Sequence, residues 1–212
     1  MSDSQSPGNY ALTYPGRGLA VLAAHWPTPP ADLPQFCSCG NLDCPSPARH
    51  PIGTLNAADA TRDPGQLARW WLAHPTANVA TFTDESHIGV LELYHPAKPE
   101  HVMRLLNAHR AGQGPVIYAG QGRVLFLVKP IQPQPDHEPA RSYSSDDGEV
   151  TCLASESMVL LPPSRLMDGE RLRWMRRLNH TTRLPDAAPL LALLTELLES
   201  GTLEDIQALM AM

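Results

Sequence analysis

Cys37-Ser-Cys39-Gly-Asn-Leu-Asp-Cys44-Pro-Ser-Pro-Ala-Arg-His50-Pro51 is the stretch on which the reading of this chain turns. It lies inside a segment, residues 25–61, dominated by Pro, Cys, Asn, Asp and Gly, too long and too broken for an ordinary connection. Something must hold such a segment together. Cys37, Cys39, Cys44 and His50 offer three thiolates and one imidazole within fourteen residues, the soft and borderline donors that a tetrahedral structural zinc takes. Ligation energy counts directly as folding energy, so a metal could replace the missing core. The single residue between Cys37 and Cys39 is a tighter gap than zinc modules usually show, and His25 is a spare ligand. A loop of free thiols, or a disulfide in a secreted protein, would spell the same residues. Close clustering in a reducing compartment favours the metal. Cys152, inside an apolar run, reads as a small buried side chain instead.

Beyond this loop the composition is that of a globular protein. The 212 residues allow one domain with additions or two small ones, and 42% hydrophobic with 18% charged residues excludes a disordered or collagen-like chain. There are 22 prolines and 14 glycines, above the ordinary share of about 12%, so long irregular connections are expected. A formal net charge of −6 argues against a surface that grips nucleic acid everywhere, while leaving room for a local basic patch. Of the basic residues only Lys98 and Lys129 are lysines; the rest are arginines. No apolar run approaches the roughly 18 residues of a membrane span, and the N-terminus lacks a secretory pattern. A cytoplasmic protein with no membrane partner is expected.

Along the chain, residues 1–9 are polar and aperiodic and read as disordered, with structure beginning near Tyr10. Gly18 to Ala24 is a continuous apolar run of strand length. Asp63-Pro64-Gly-Gln66 supplies an N-cap and a first-turn proline for a helix carrying Leu67, Trp70 and Trp71 and ending before Pro75. Strands are expected at Asn78 to Thr83 and His87 to Leu93, around the acidic turn Asp84-Glu85-Ser86. A helix opening at Pro99 should carry Val102, Leu105, Leu106 and His109 on one face and stop at Gly112. Strands follow at Pro115 to Ala119 and Arg123 to Lys129, joined through Gly120-Gln-Gly122. Residues 130–148 read as a mobile, proline-rich insertion, Val150 to Leu153 and Ser157 to Leu161 as a strand pair, and Arg171 to Arg176 as the final strand. Leucines 190, 191, 194, 197 and 198 mark a tail helix within 185–212, with a short further helix from Thr202. There is no internal repeat.

The spelling of the loop carries more than its spacing. Cys37-Ser-Cys-Gly40, Asp43-Cys-Pro-Ser-Pro47 and His50-Pro51 resemble the Cys-rich segment of bifunctional DNA primase/polymerase (prim-pol) domains. The neighbouring text is similar in the same order: Ala11-Leu-x-Tyr14 and Gly18, Ala60-Thr61-x-Asp63-Pro64 with Trp70-Trp71, Pro75-x-Ala77-Asn78, and finally Pro162-Pro163-Ser164 with Trp174. The resemblance spans about residues 10–178. It implies an α+β prim-pol fold of the archaeo-eukaryotic primase superfamily, in which an αβ unit and an RRM-like unit enclose a nucleotide site. Active members build primers and extend DNA with two divalent metals, Mg²⁺ or Mn²⁺, held by paired carboxylates so that attacking and leaving oxygens are both stabilised.

At the positions where the family keeps that machinery, this chain departs from it. Val90-Leu91-Glu92-Leu93-Tyr94 puts Glu92 at the first carboxylate and Tyr94 at the second, where a phenol, neutral at pH 7, cannot replace an anionic ligand. Gly120-Gln-Gly122-Arg123-Val124 puts Val124 at the expected histidine. The third acid falls at Thr151, with Glu149 two residues earlier as a substitute if the register slips. Losing one such group usually costs several kcal/mol of transition-state stabilisation. The expectation is therefore a degenerate domain kept for DNA or nucleotide binding, with an active enzyme using Glu92 as an alternative.

A nucleic-acid contact is expected from the 165–183 segment, where Arg171, Arg173, Trp174, Arg176 and Arg177 combine guanidinium forks with an aromatic ring. The same arginines could simply be solvated on an edge strand or paired with the acids of 146–149. Arg123 is a further phosphate candidate. A different class of function is a regulatory or replication-protein interaction through the leucine-rich tail, although most amphipathic terminal helices cap their own core. No Walker motif is present, so ATP-driven unwinding is expected from a partner, and no Rossmann fingerprint or Ser-His-acid order is visible.

Overall fold

A computed structural model describes residues 6–28, 36–95, 99–108, 114–131, 142–145, 148–153 and 155–199. The chain divides into two compact units, one from Met1–Ser86 with Glu156–Arg173, the other from His87–Ser155 with Trp174–Met212.

In the first unit, helix α1 (Pro7–Ala11) starts from Ser6, whose hydroxyl accepts the Asn9 N–H. The polar opening thus becomes helical at Pro7, earlier than the sequence implied, because a serine cap and a first-turn proline outweigh the lack of apolar periodicity. Strand β1 (Val21–Ala24) is buried along its whole length, as the unbroken apolar run predicts. The two-residue strands β2 (Pro27–Thr28) and β3 (Phe36–Cys37) pair with each other and lead into the cysteine loop. Helix α2 (Pro64–Ala73) is capped by Asp63, which accepts from the N–H groups of Gly65 and Gln66. Its buried face carries Leu67 and Trp71, and the Trp71 indole donates to the Ala77 carbonyl at 3.0 Å, fixing the turn into strand β4 (Asn78–Phe82). Gly8 of α1 lies so close to Trp71 that a Cβ there would sit 2.8 Å from it. Only glycine admits that approach.

The six-residue strand β5 (Gly89–Tyr94) opens the second unit, followed by helix α3 (Pro99–Ala108), β6 (Val116–Tyr118) and β7 (Arg123–Val128). Beyond them come β8 (Ser142–Ser145), β9 (Gly148–Cys152), β10 (Met158–Leu161), β11 (Arg173–Arg176) and helix α4 (Ala187–Glu199). Strand β10 returns to the first unit, completing an antiparallel sheet of order β1-β4-β10. The second unit's sheet runs β11-β6-β7-β5-β9-β8. Its middle order, β6-β7-β5-β9, is that of the split βαβ pattern implied by the RRM-like expectation.

Two expectations are corrected here, and a third is borne out. Val150 to Leu153 and Ser157 to Leu161 are strands but not a pair: β9 joins β5 and β8, whereas β10 joins β4 in the other unit. The insertion over 130–148 is not wholly irregular, because Ser142–Ser145 is a strand whose Ser/Tyr alternation sits on β9. Helix α4 is the expected C-terminal helix and packs in cis, since Leu190, Leu194, Leu197 and Leu198 belong to the core formed with Leu91, Leu93, Val102, Leu106, Phe126 and Val150. Leu105 lies within α3 as expected, while His109, the helix stop at Gly112 and the helix expected from Thr202 lie outside the described residues.

Candidate metal centre and sheet-face site

The cysteine loop hangs from the edge of β1 by backbone ties: His25 N–H donates to the His50 carbonyl and Ile52 N–H to the Ala23 carbonyl, at 2.9 and 3.2 Å. A buried side chain secures its far end. Asn78 donates to the Ala48 carbonyl at 3.2 Å while its own oxygen accepts from Arg165 N–H at 2.8 Å. Between these anchors the donor atoms of Cys37, Cys39, Cys44 and His50 all lie within 4.8 Å of one another. Nε2 of His50 is 3.4 Å from the sulfurs of both Cys37 and Cys44. With Zn–S near 2.3 Å and Zn–N near 2.05 Å, a tetrahedral site has S···N edges of about 3.5 Å. The cluster therefore could hold a metal ion, and its donor chemistry fits zinc.

Local backbone geometry aims the thiols. Ala48 takes a φ of 58°, unusual for a residue with a Cβ, and in that conformation its N–H points at the Cys37 sulfur at 3.3 Å. Asn41 N–H does the same for Cys39 at 3.4 Å. Burial pushes the Cys37 thiol up, whereas the Asn41 N–H pulls that of Cys39 down. His25, the spare ligand, stands outside the cluster: its ring packs on His50 with centroids 4.3 Å apart, and its Nδ1 is 2.7 Å from the Ser38 hydroxyl. It packs against the imidazole of the cluster and is not among the four clustered donors.

The second cluster sits on the sheet of the other unit. In β5, Leu91 and Leu93 turn into the helix-covered core, so Glu92 and Tyr94 share the opposite face. Register places Thr151 across from Glu92 and Glu149 across from Tyr94 on β9, and Arg123 across from Tyr94 on β7. The turn before β7 explains that placement. Gly120, Gln121 and Gly122 take φ values of 79°, 50° and 76°, a left-handed run that glycine makes accessible, and Arg123 N–H closes it on the Gly120 carbonyl. From there the Arg123 guanidinium reaches Glu92 Oε1 at 2.6 Å and lies 5.4 Å from the centre of the Tyr94 ring. Thr151 donates its hydroxyl hydrogen to Glu149 at 3.0 Å.

This geometry bears on two of the expected residues. Val124 pairs with Leu93 and lies in the core on the far side of the sheet, so its position does not present a side chain beside Glu92. Arg123 is engaged by a carboxylate and an aromatic face, which weakens its reading as a phosphate contact. Nothing in the spacing announced the Glu92–Arg123 pair; only the strand register brings residues 31 apart in sequence together. In the basic segment Arg171, Arg173 and Arg177 are exposed and Trp174 is half-buried. Arg176 differs, since its guanidinium donates to Asn107 Oδ1 and the Gly114 carbonyl, and burial lowers its pKa.

With both sites in view, comparison with known families gives one result: the model for the N-terminal domain of bifunctional DNA primase/polymerases, Prim-Pol, matches residues 11–189. The chain belongs to the Prim-Pol family. No curated protein matches it. Among the described residues no helix is long and apolar enough to cross a membrane.

Proposed function

We propose that this prim-pol domain binds single-stranded nucleic acid or nucleotide without performing templated nucleotide addition, and that the cysteine loop holds one structural zinc. The observation carrying the first part is the Glu92–Arg123 contact of 2.6 Å. Two-metal phosphoryl transfer needs anionic oxygens left available to cations. Here the one acid remaining from the expected pair is matched by a guanidinium, its neighbour Tyr94 is a phenol, and Thr151 stands across from it. A carboxylate paired with a guanidinium provides no open position for metals that would gather the attacking and leaving oxygens.

Arg171, Arg173 and Arg177 are the cations we assign to the phosphate backbone, with Arg176 left out because of its ties to Asn107 and Gly114. The interaction reading through the leucine-rich helix has less support, because the leucines it would offer are core residues. Anisotropy titration of a labelled oligothymidine, in buffer freed of divalent cations by a chelating resin and again with Mg²⁺, tests the binding role. Similar, salt-sensitive affinity in both is expected, and Arg173→Ala with Arg177→Ala should flatten the salt dependence. Binding that appears only with Mg²⁺ contradicts it.

A further inference from the structure

Beside the cysteine loop, within the first unit, is a cleft of about 370 Å³ that neither the metal centre nor the sheet-face cluster uses. Its walls include two indoles, Trp26 and Trp70, and two imidazoles, His25 and His74. These rings are organised: His25 stacks on Trp26 with planes 23° apart and centroids 6.2 Å apart, and His74 lies 5.9 Å from Trp26 on a tilt of 48°. His25 also packs on the metal-cluster residue His50, and Ser38, two hydrogen bonds from His25 and Trp26, comes from between two of the cysteines. One wall of the cleft is thus built by the same loop that gathers the thiols.

The volume lies near the lower end of small-molecule sites, which run from about 300 to 1,000 Å³, and so fits one flat ring system with its sugar rather than a helix or strand. Among the described residues no arginine or lysine lines the cleft, which leaves a free triphosphate without a counter-charge there. An aromatic-walled, cation-poor cleft suits a base whose phosphates stay outside on the strand. We propose that this cleft is a stacking site for one unpaired base of single-stranded nucleic acid, with its shape dependent on the metal-held loop. The proposal rests on the binding reading given above.

The experiment uses the full chain with its metal retained, titrated with oligothymidine while indole fluorescence and anisotropy are recorded. Quenching that tracks binding is expected from the strand and not from thymidine triphosphate at the same concentration. Trp70→Ala should weaken strand binding at least about fivefold with an unaltered salt slope, because a stacking contact releases no counterions. Trp70→Phe should restore most of it. Metal content equal to the parent's shows that the variant keeps the loop, and Trp26→Leu provides a second test of the same wall. Undiminished affinity in both variants overturns the cleft while leaving the binding role standing; equal quenching by the free triphosphate overturns the choice of a strand. Absence of any strand binding by the parent chain overturns both.

Discussion

At Glu92 a 2.6 Å contact joins the carboxylate to Arg123 of the neighbouring strand, and the proposal of binding without catalysis starts from it. A carboxylate of a polymerase must stay available to metal ions, and here it is occupied by the neighbouring strand's arginine. The pair is not strongly buried, with side-chain exposures of 42% for Arg123 and 20% for Glu92, so its contribution to stability is small. Arg123→Ala is expected to change unfolding free energy by less than about 1 kcal/mol in urea titration. At the other site the consequence of one residue is larger. Metal analysis of the purified protein should give one zinc per chain, and Cys37→Ser or Cys44→Ser should lose it; a parent chain free of metal refutes that assignment. These two sites differ in how much of them the sequence reveals. The four clustered donors share fourteen residues, so spacing alone exposes them, and only His50 and His25 needed geometry to separate. Glu92 and Arg123 meet by register between strands, which no local spacing encodes.

Helix α4 and strand β8 show the same distinction at the scale of elements. The leucine stripe of α4 predicts a helix, and four of its leucines fill the core against β5, β7 and β9 residues. Leu194, only 1% exposed, should cost about 2–5 kcal/mol when cut to alanine, measured by denaturant unfolding, since a cavity is added to the lost burial. A cost below 1 kcal/mol would contradict its place in that core. The start of helix α2 is legible to the residue, because Asp63 and Pro64 are local signals, and Asp63→Ala should cost about 1 kcal/mol through the two N–H groups it leaves uncapped. Strand β8 was hidden because Ser142–Ser145 is short and polar and exists by pairing with β9. For β9 and β10 the strands could be read but not their partners, since adjacency in sequence is only a tendency in sheets and here the chain changes units between them.

Over the whole molecule, the acidic total of −6 coexists with exposed arginines in one short segment, and more than half of the described prolines lie outside helices and strands. One such connection is drawn together by the metal-capable cluster. Removing the metal with a chelator should therefore lower the unfolding temperature, and adding zinc back should restore it, followed by calorimetry. The family supplies a frame in which nucleotide addition is the usual chemistry. What this chain places in that frame is a carboxylate paired with Arg123, a tyrosine and a threonine, the arrangement on which the proposal of binding without nucleotide addition rests. The most direct measurement is a primer-extension and primer-synthesis assay on single-stranded template with deoxynucleoside triphosphates and either Mg²⁺ or Mn²⁺. The account predicts no incorporation above background from protein that binds the template. Template-dependent incorporation that disappears with Glu92→Gln would contradict it.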